Sequence, residues 1–443
     1  MNKSEIKMPI TFIHLENFKS FEKLSLDLKD INIFIGANAS GKSNFLQIFR
    51  FIKNIRDEGL ENAIFIEGDI ENLQNFILGD SKEFKLSFSI DNKKDSFIFS
   101  ADVDKKKLFY FSVEDLDYEL ILKFQNNKYI LLLDKLVIKF DISFSLDLPE
   151  NQKTLDLNYI EKNIKRLTKA RMTLIQQYKK FNSKLEFLDE IETEDKIALE
   201  KLLIPAEWND KDVTDDSLTL QLNIPLTPIL FLADIILHKQ FNISVYDFDP
   251  RLSKKAIKLT GTTDLNEDGS NLAIVLRNIQ KDKKNWDSFN RKLRYVLPFI
   301  NKIEVQNFID KSMIFKMREI YSENDLPAFL VSDGTIHVAC LIIALFYQES
   351  SLVIIEEPET NIHPALIYKL SELIEKASSK KQIIFTTHNP EFIRNFDIDK
   401  IFLVSRNQKG MSEIINSNKS ERIKLFLEEE IGLDQLFIDG LLG

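Results

Sequence analysis

Cysteine is nearly absent: Cys340 stands alone among 443 residues. A single cysteine excludes an internal disulfide and is typical of proteins from a reducing cytoplasm. We expect Cys340 to be a small, buried, apolar side chain. Glycine is scarce too, at 12 residues. A glycine inside a motif therefore needs a local reason, such as a special backbone conformation or a close approach by another group.

Long hydrophobic runs are also lacking. The longest apolar stretches, "IPLTPILFLADIILH" and "IHVACLIIALFY", are shorter than the roughly 20 residues with which a helix crosses a bilayer. The N-terminal stretch "MNKSEIKMPITFIHLENF" has no apolar core of the kind found in signal peptides. We therefore expect a soluble, cytoplasmic protein that makes no membrane contact.

Positive charge is in the minority. The formal net charge is -10 at pH 7, which excludes a protein coated with basic surface. Any contact with nucleic acid must then be local. The sequence also has no His/Cys cluster with metal-ligand spacing, so we do not expect a zinc-type site.

Three periodic patterns follow one another along the chain. Alternating apolar and polar residues over about 82–148 predict an antiparallel sheet with one solvated face. From Leu157 to Leu188 apolar residues recur at spacings of 3 and 4, broken only at Arg171, which predicts a coiled-coil or helical-hairpin arm. An ordinary amphipathic helix on the core is the alternative. A second helix, "EDKIALEKLLI", should end before Pro205. Beyond 206, "SSLVII", "PALIYKLSELIEKAS" and "KQIIFTT" predict a parallel strand–helix–strand crossover.

The stretch "GANASGKS", from Gly36 to Ser43, matches the pattern G-x-x-x-x-G-K-[ST]. It follows the apolar strand "INIFI" and precedes a helical pattern, the context that such a phosphate-binding loop requires. Its glycines allow backbone N–H groups to point at phosphate oxygens, and the helix N-terminus adds partial positive charge. Lys42 would neutralise the β- and γ-phosphates of a nucleotide, and Ser43 would ligate Mg²⁺.

Two further motifs place polar residues at the ends of apolar strands. "LVIIEEPETNIHP" places Glu356 and Glu357 after four apolar residues, and "TTHNP" places His388 after the next strand. Adjacent carboxylates at a strand end are costly unless a cation or substrate meets them. One can hold Mg²⁺ through water while the other accepts a proton from an attacking water. His388 can hydrogen-bond a terminal phosphate and orient that water.

Taken in order, "GANASGKS", "SDGT", "LVIIEEPE" and "TTHNP" resemble the motifs of ABC-type AAA ATPase heads in the RecF, SMC and OLD branch. Within it, the chain most resembles stand-alone ATPases of prokaryotic anti-phage systems of the PARIS or Septu type. "VYDFDP", "NEDGSNLAIVLRNI" and "GLDQLFIDGLLG" add to this likeness. The resemblance implies an α/β fold: an ABC-type P-loop ATPase head with an antiparallel β-subdomain and an inserted helical or coiled-coil arm. The implied parts are the N-terminal half of the head over 1–150, the arm over 151–205 and the C-terminal half over 206–443.

The resemblance also implies a role for each motif. Glu356 takes the Mg²⁺-side Walker B position, Glu357 that of the catalytic base and His388 that of the switch histidine. Glu356 stands where such ATPases usually have an aspartate. The residues implied to bind ATP are Gly36, Asn38, Ser40, Gly41, Lys42, Ser43, Asn44, Gln74, Ser332, Asp333 and Gly334, and the implied Mg²⁺ ligands are Ser43 and Glu356.

By the same resemblance, "SDGT" occupies the place of the ABC signature. Ser332 and the backbone at Gly334 would contact the γ-phosphate bound by an opposite subunit, so that two heads enclose two ATP molecules in a twofold dimer. Glycine would be needed because a phosphate of the other chain approaches the backbone closely. The residue pattern alone predicts a helix N-cap turn at the same place.

Three functions stay open from the sequence. We favour a defence-type ATPase switch that dimerises, or forms a higher homo-oligomer, and controls a separate effector such as a nuclease or toxin. About fifty residues follow "TTHNP", so we expect no nuclease domain of the OLD type in this chain. A RecF-like DNA-maintenance ATPase is the second function, and an inactive ATP-holding scaffold the third. The stretch 153–184 contains nine Lys/Arg residues and only two acids. These cations could pair with acidic residues or follow a phosphate backbone.

Overall fold

The computed structural model describes residues 10–91, 99–103, 107–145, 165–177, 179–204, 211–212, 219, 237, 242–258, 261, 264–307 and 312–417. The chain divides into two compact units. The first, here called the β unit, comprises Met1–Lys29 and Gln47–Asn242. The second, the α/β unit, comprises Asp30–Leu46 and Ile243–Gly443. The α/β unit is therefore built from two separate stretches of the chain.

The described residues form strands and helices in the following order. The strands are β1 (Ile10–Phe18), β2 (Phe21–Asp27), β3 (Ile31–Ile35), β4 (Phe84–Asp91), β5 (Phe99–Val103), β6 (Lys107–Gln125), β7 (Lys128–Ser145), β8 (Lys165–Gln177), β9 (Lys180–Phe187), β10 (Lys211–Asp212), β11 (Ile243–Tyr246), β12 (Ile257–Lys258), β13 (Ile300–Asn307), β14 (Ser312–Glu319), β15 (Leu326–Pro327), β16 (Leu352–Glu356), β17 (Gln382–Thr387), β18 (Ile401–Arg406) and β19 (Ser412–Asn416). The helices are α1 (Lys42–Glu58), α2 (Leu60–Ile66), α3 (Ile70–Leu73), α4 (Thr193–Leu203), α5 (Pro250–Ser253), α6 (Leu272–Gln280), α7 (Lys283–Val296), α8 (Asp333–Phe346), α9 (Ile367–Ser378) and α10 (Pro390–Ile393). Within the described residues, none of these helices is long and apolar enough to span a membrane.

The β unit contains a large antiparallel sheet. Its order is β10-β9-β8-β7-β6-β4-β1-β2, and β5 pairs with β6. The antiparallel sheet predicted over 82–148 is thus confirmed. Several short predicted segments merge into the long strands β6 and β7, which pair along nearly their whole length. Alternate side chains of β4 are buried, as expected for a sheet that packs on one face.

The helical arm predicted over 151–205 is wrong for the residues that the structure describes from 165 to 187. These residues form the antiparallel hairpin β8–β9, and β8 also pairs with β7. Thr168, Ala170, Met172 and Leu174 are buried at every second position, a period of two that coexists with the 3,4 spacing. β7 offers β8 a row of backbone hydrogen-bonding groups, and this pairing favours the strand over the helix. Residues 151–164 of the predicted arm lie outside the described residues, and the predicted second helix is confirmed as α4.

Four basic residues of this hairpin contact acids on the same strand or on neighbouring strands. Lys169 contacts Glu114 at 2.6 Å, and Arg166 contacts Asp141 at 3.0 Å. Two more cations pair with one carboxylate, Arg171 and Lys184 with Glu186. Exposed pairs of this kind stabilise little. They confirm pairing for these four cations, although on strands rather than on helices.

The α/β unit is built on a mostly parallel sheet with the order β11-β16-β17-β3-β18-β19. Only β19 runs antiparallel, to β18. The predicted crossover is confirmed: β16 and β17 are parallel neighbours joined through α9. All five residues of β3 are buried. Because β3, β16 and β17 are adjacent and parallel, the residues that follow their carboxyl ends meet at one edge of the sheet.

Candidate functional site

The phosphate loop connects β3 to α1 at that edge. Gly41 has φ +114°, a conformation that other residues rarely adopt. A Cβ on Gly36 would lie 2.2 Å from the carbonyl oxygen of Val404, so no side chain fits there. Both glycines of the motif are therefore required by the backbone of this chain. Asn38 lies at the exposed tip of the loop, and Asn44 is half-buried in the first turn of α1.

Lys42 bends back over the loop. Its Nζ donates to the carbonyl oxygens of Gly36, at 2.7 Å, and Ala37, at 2.9 Å. Burial lowers the pKa of Lys42, whereas nearby carboxylates, chiefly Glu357 and Glu356, raise it. The ammonium group therefore lies between a loop shaped for phosphate and a set of acids. Such a position suits a cation that bridges phosphate oxygens.

The Ser43 hydroxyl donates to the Glu356 carboxylate, with 2.8 Å between Oγ and Oε2. The two residues are 313 positions apart in the chain, and they meet because α1 begins beside the carboxyl end of β16. A hydroxyl and a carboxylate are oxygen ligands of the kind that Mg²⁺ prefers. In the same loop the Ser40 hydroxyl is buried without a hydrogen-bond partner among the described residues. The donor set fits Mg²⁺, and the role of Glu356 in place of the usual aspartate stays a prediction.

Glu357 is held in an unusual conformation beside His388. Its φ is +44°, a strained value for a residue with a side chain. Its N–H donates to the carbonyl oxygen of Thr386 at 3.1 Å. The carboxylate lies 2.9 Å from Nδ1 of His388 and accepts a hydrogen bond from the Thr360 hydroxyl at 3.3 Å. Both predicted catalytic residues are therefore in direct contact, beside the Ser43–Glu356 pair.

A third carboxylate, which the sequence motifs did not single out, is Glu359. It is 8% exposed, it accepts a hydrogen bond from the Thr387 hydroxyl, and burial raises its pKa. The Thr387 hydroxyl in turn accepts from the backbone N–H of Asn389 at 2.9 Å. Glu359 thus links the strand ends that carry Glu357 and His388. Glu359 is the third acid of "EEPE", and this position in the motif was the sequence signal that could have identified it. Its burial against Thr387 is visible only in the structure.

The "SDGT" stretch begins helix α8. Ser332 caps the helix: its Oγ accepts from the N–H of Thr335 at 3.3 Å. The predicted N-cap turn is confirmed. A Cβ on Gly334 would lie 2.2 Å from the carbonyl oxygen of Asn361. This contact supplies a reason for glycine within the chain itself, and the γ-phosphate of a second subunit is not needed to explain it. Asp333 is ion-paired with Lys254 at 2.5 Å.

The contacts described above do not include Gln74 or Cys340. Gln74 caps the C-terminus of α3 in the β unit, and its place beside a nucleotide stays a prediction. Its Oε1 is buried without a partner among the described residues. Cys340 is buried in α8, and burial raises its pKa to about 12. The expectation of a small apolar core cysteine is confirmed.

Comparison with known proteins finds similarity to an endonuclease and to two SMC head domains. Over 103 residues the chain is 30% identical to the Endonuclease GajA of Bacillus cereus (strain VD045), which is 23% of this chain and 15% of that protein. The SMC head domain from Thermotoga maritima is 13% identical with a TM-score of 0.40, over 92% of this chain and 99% of that one. An SMC head domain with an extended coiled coil from Pyrococcus furiosus, bound to the C-terminal domain of ScpA, is 12% identical with a TM-score of 0.47, over 96% and 99%.

One family model matches residues 31–394, well over half of the chain. The match begins at β3 and includes the phosphate loop, "SDGT", both strand-end acids and His388. The chain therefore belongs to the family described as "AAA domain, putative AbiEii toxin, Type IV TA system".

Proposed function

We propose that the protein binds and hydrolyses ATP. The observation that carries this proposal is the meeting of two pairs at one sheet edge, Ser43 with Glu356 at 2.8 Å and Glu357 with His388 at 2.9 Å. Lys42 and the loop backbone bind the phosphates. Mg²⁺ held by Ser43 and Glu356 would neutralise charge on the β- and γ-phosphates. Support also comes from membership of an AAA family.

In this proposal Glu357 is the general base. Its carboxylate accepts a proton from water as the water oxygen attacks the γ-phosphorus, and the bond to the leaving ADP oxygen breaks. His388, 2.9 Å from the same carboxylate, orients that carboxylate and can donate to the γ-phosphate. The left-handed backbone of Glu357 fixes the direction of its side chain.

Two substitutions test the assignment. Lys42→Ala removes the phosphate-binding cation and should abolish nucleotide binding, measured by titration with a fluorescent ATP analogue. Glu357→Gln keeps the shape of the side chain but removes the base. It should bind ATP as wild type does and lower kcat by at least a hundredfold, within the range of general-base effects. Wild-type turnover by Glu357→Gln would contradict the assignment of the base.

The larger role that we propose is that of a switch. Two copies would join head to head across ATP, with Ser332 and Gly334 of each copy near the nucleotide of the other, and hydrolysis would release them. The exposed position of Ser332 at the N-terminus of α8 supports this, because an exposed helix N-terminus can meet a phosphate. Mass photometry of Glu357→Gln with and without Mg²⁺-ATP tests the dimer. A monomer under both conditions would contradict it.

The switch would control a separate effector, a nuclease or toxin, in anti-phage defence. Support comes from the family description, which names a putative toxin and a type IV toxin–antitoxin system, and from the 30% identity to an endonuclease. That match spans 15% of the endonuclease, so it supports a relationship between the matched segments of the two proteins. Affinity purification of tagged Glu357→Gln from its native host with Mg²⁺-ATP would identify the effector by mass spectrometry. Recovery of the ATPase alone with DNA would favour the RecF-like function instead.

Among the described residues, no specific contact favours the RecF-like function. Lys169 and Arg166 of the β8–β9 hairpin are paired with carboxylates of the same sheet. A phosphate backbone would have to displace those carboxylates first. The inactive scaffold is disfavoured as well, because a strained Glu357 aligned with His388 has no use in a site that only holds ATP.

A further inference from the structure

A buried histidine lies between two parts of the candidate site. His337 is on α8, three residues after Gly334, and is 1% exposed. Its Nε2 lies 3.1 Å from the carbonyl oxygen of Pro358. The ring meets Phe248 edge to face, with 5.6 Å between ring centroids. The polar contact of this side chain is therefore made to the residue that follows Glu357.

The direction of this hydrogen bond is fixed by its chemistry. A carbonyl oxygen only accepts, so Nε2 of His337 carries the proton and donates it. Burial lowers the pKa of His337 to about 4, which keeps the ring neutral near pH 7. Nδ1 is then the unprotonated nitrogen, and it is buried without a partner in the described part of the chain. His337 is thus a single, fixed donor.

The acceptor is well placed to hold the catalytic base. Proline has no N–H, so the carbonyl of Pro358 is the one backbone group at that residue that a neighbour can hold by a hydrogen bond. A strained φ such as that of Glu357 persists only where surrounding contacts impose it. The backbone contact from Glu357 to Thr386 holds one side of this turn, and His337 holds the other.

We propose that His337 is a positioning residue for ATP hydrolysis. By holding the carbonyl of Pro358, it keeps Glu357 aligned with His388 and ties Glu357 to helix α8. This inference rests on the proposed hydrolysis and deepens it. The close packing of Gly334 on the carbonyl of Asn361 is a second contact between the same two segments.

The consequence concerns regulation. The N-terminus of α8 carries Ser332, which in the proposed dimer faces the nucleotide of the other copy. A shift of α8 on engagement would reach Glu357 of its own chain through His337 and Pro358. Within the chain, His337 would then be the contact through which α8 affects Glu357.

Two substitutions at His337 separate positioning from packing. His337→Leu fills the space without a donor, and His337→Gln keeps an N–H donor at a similar reach. We expect His337→Leu to lower kcat about tenfold, the effect of one lost hydrogen bond, with the Kd of a fluorescent ATP analogue within about twofold of wild type. His337→Gln should retain more than half of wild-type kcat. Ile343→Val, buried on the same helix, is the control that lowers stability and leaves kcat unchanged.

A second measurement checks the donor directly. Long-range ¹H–¹⁵N NMR of the imidazole, assigned by the signal missing from His337→Gln, should show the Nε2–H form from pH 6 to pH 8. A ring that titrates in that range, or carries its proton on Nδ1, would overturn the proposal.

The kinetic outcomes also keep the two proposals apart. If wild type hydrolyses ATP and His337→Leu does so equally fast, the positioning role alone is refuted. Equal losses of kcat and Tm in His337→Leu and His337→Gln would reduce His337 to core packing. A wild type that binds ATP without hydrolysing it would refute the proposed function, and the positioning role would fall with it.

Discussion

Replacing Gly334 with alanine distinguishes two reasons for the scarce glycine in "SDGT". The Cβ would lie 2.2 Å from the carbonyl oxygen of Asn361, closer than any normal contact, so α8 or the 357–361 turn must shift. Such overpacking costs about 1–3 kcal/mol. Alanine returns at most about 1 kcal/mol through its higher helix propensity. The expected net loss is therefore about 0–3 kcal/mol, and its central value of about 1.5 kcal/mol lowers Tm by about 3–6 °C in a unit of this size.

The assay is thermal unfolding followed by circular dichroism, without nucleotide and at a concentration where the protein is monomeric. Gly261→Ala is the matched control, because a Cβ there meets none of the described residues within 4 Å. We expect its Tm to match wild type. If Gly334→Ala melts like wild type but fails to dimerise with Mg²⁺-ATP, then the glycine serves a phosphate of the second copy. The reason that we draw from Asn361 would then be refuted.

Two further predictions concern charge. Lys254→Met removes the ion pair of Asp333 and leaves Arg251 as a second cation that acts on this carboxylate; because a partly exposed pair contributes at most about 1 kcal/mol, ATP-dependent dimer affinity should fall by up to about fivefold. Mass photometry in the Glu357→Gln background should show the loss and its rescue by Asp333→Asn, and no rescue would contradict the charge argument. Burial lowers the pKa of Lys381 from 10.5 to about 8, so between those pH values the unfolded chain binds a proton that the folded chain does not, and stability rises with pH. Urea unfolding near pH 8 and near pH 10 should show that rise in wild type and a smaller one in Lys381→Met; equal rises would exclude Lys381 as the cause.

Much of the α/β unit follows from local sequence. β3 is a short apolar run before a glycine-rich loop, and β16 and β17 are apolar runs that end in polar residues. Buried parallel strands are apolar on both faces, so they can be recognised without knowledge of their neighbours. The motifs could therefore be placed at strand ends from the amino-acid sequence alone, whereas the strand order that brings them to one sheet edge came from the structure.

The hairpin β8–β9 shows the opposite case. Leu167, Leu174 and Phe181 recur at the seven-residue spacing of a helix, while Thr168, Ala170 and Met172 fit the spacing of a strand. A sequence that satisfies both periods leaves the choice to tertiary contacts, and here β7 supplies a hydrogen-bonding edge along β8. Local pattern alone favoured the helix, and this preference was wrong.

The remaining features of the candidate site depend on which residues the fold buries together. The sequence predicted phosphate-binding, metal-binding or catalytic roles for Lys42, Glu356, Glu357 and His388, because each belongs to a motif with a known spacing. It could not show that Glu359 and His337 are buried beside them, or that Asn361 packs on Gly334. Motif chemistry depends on residue type and order, which the sequence determines by itself. Hydrogen-bond partners and close contacts depend on residues far apart in the chain, and only the folded structure brings those together.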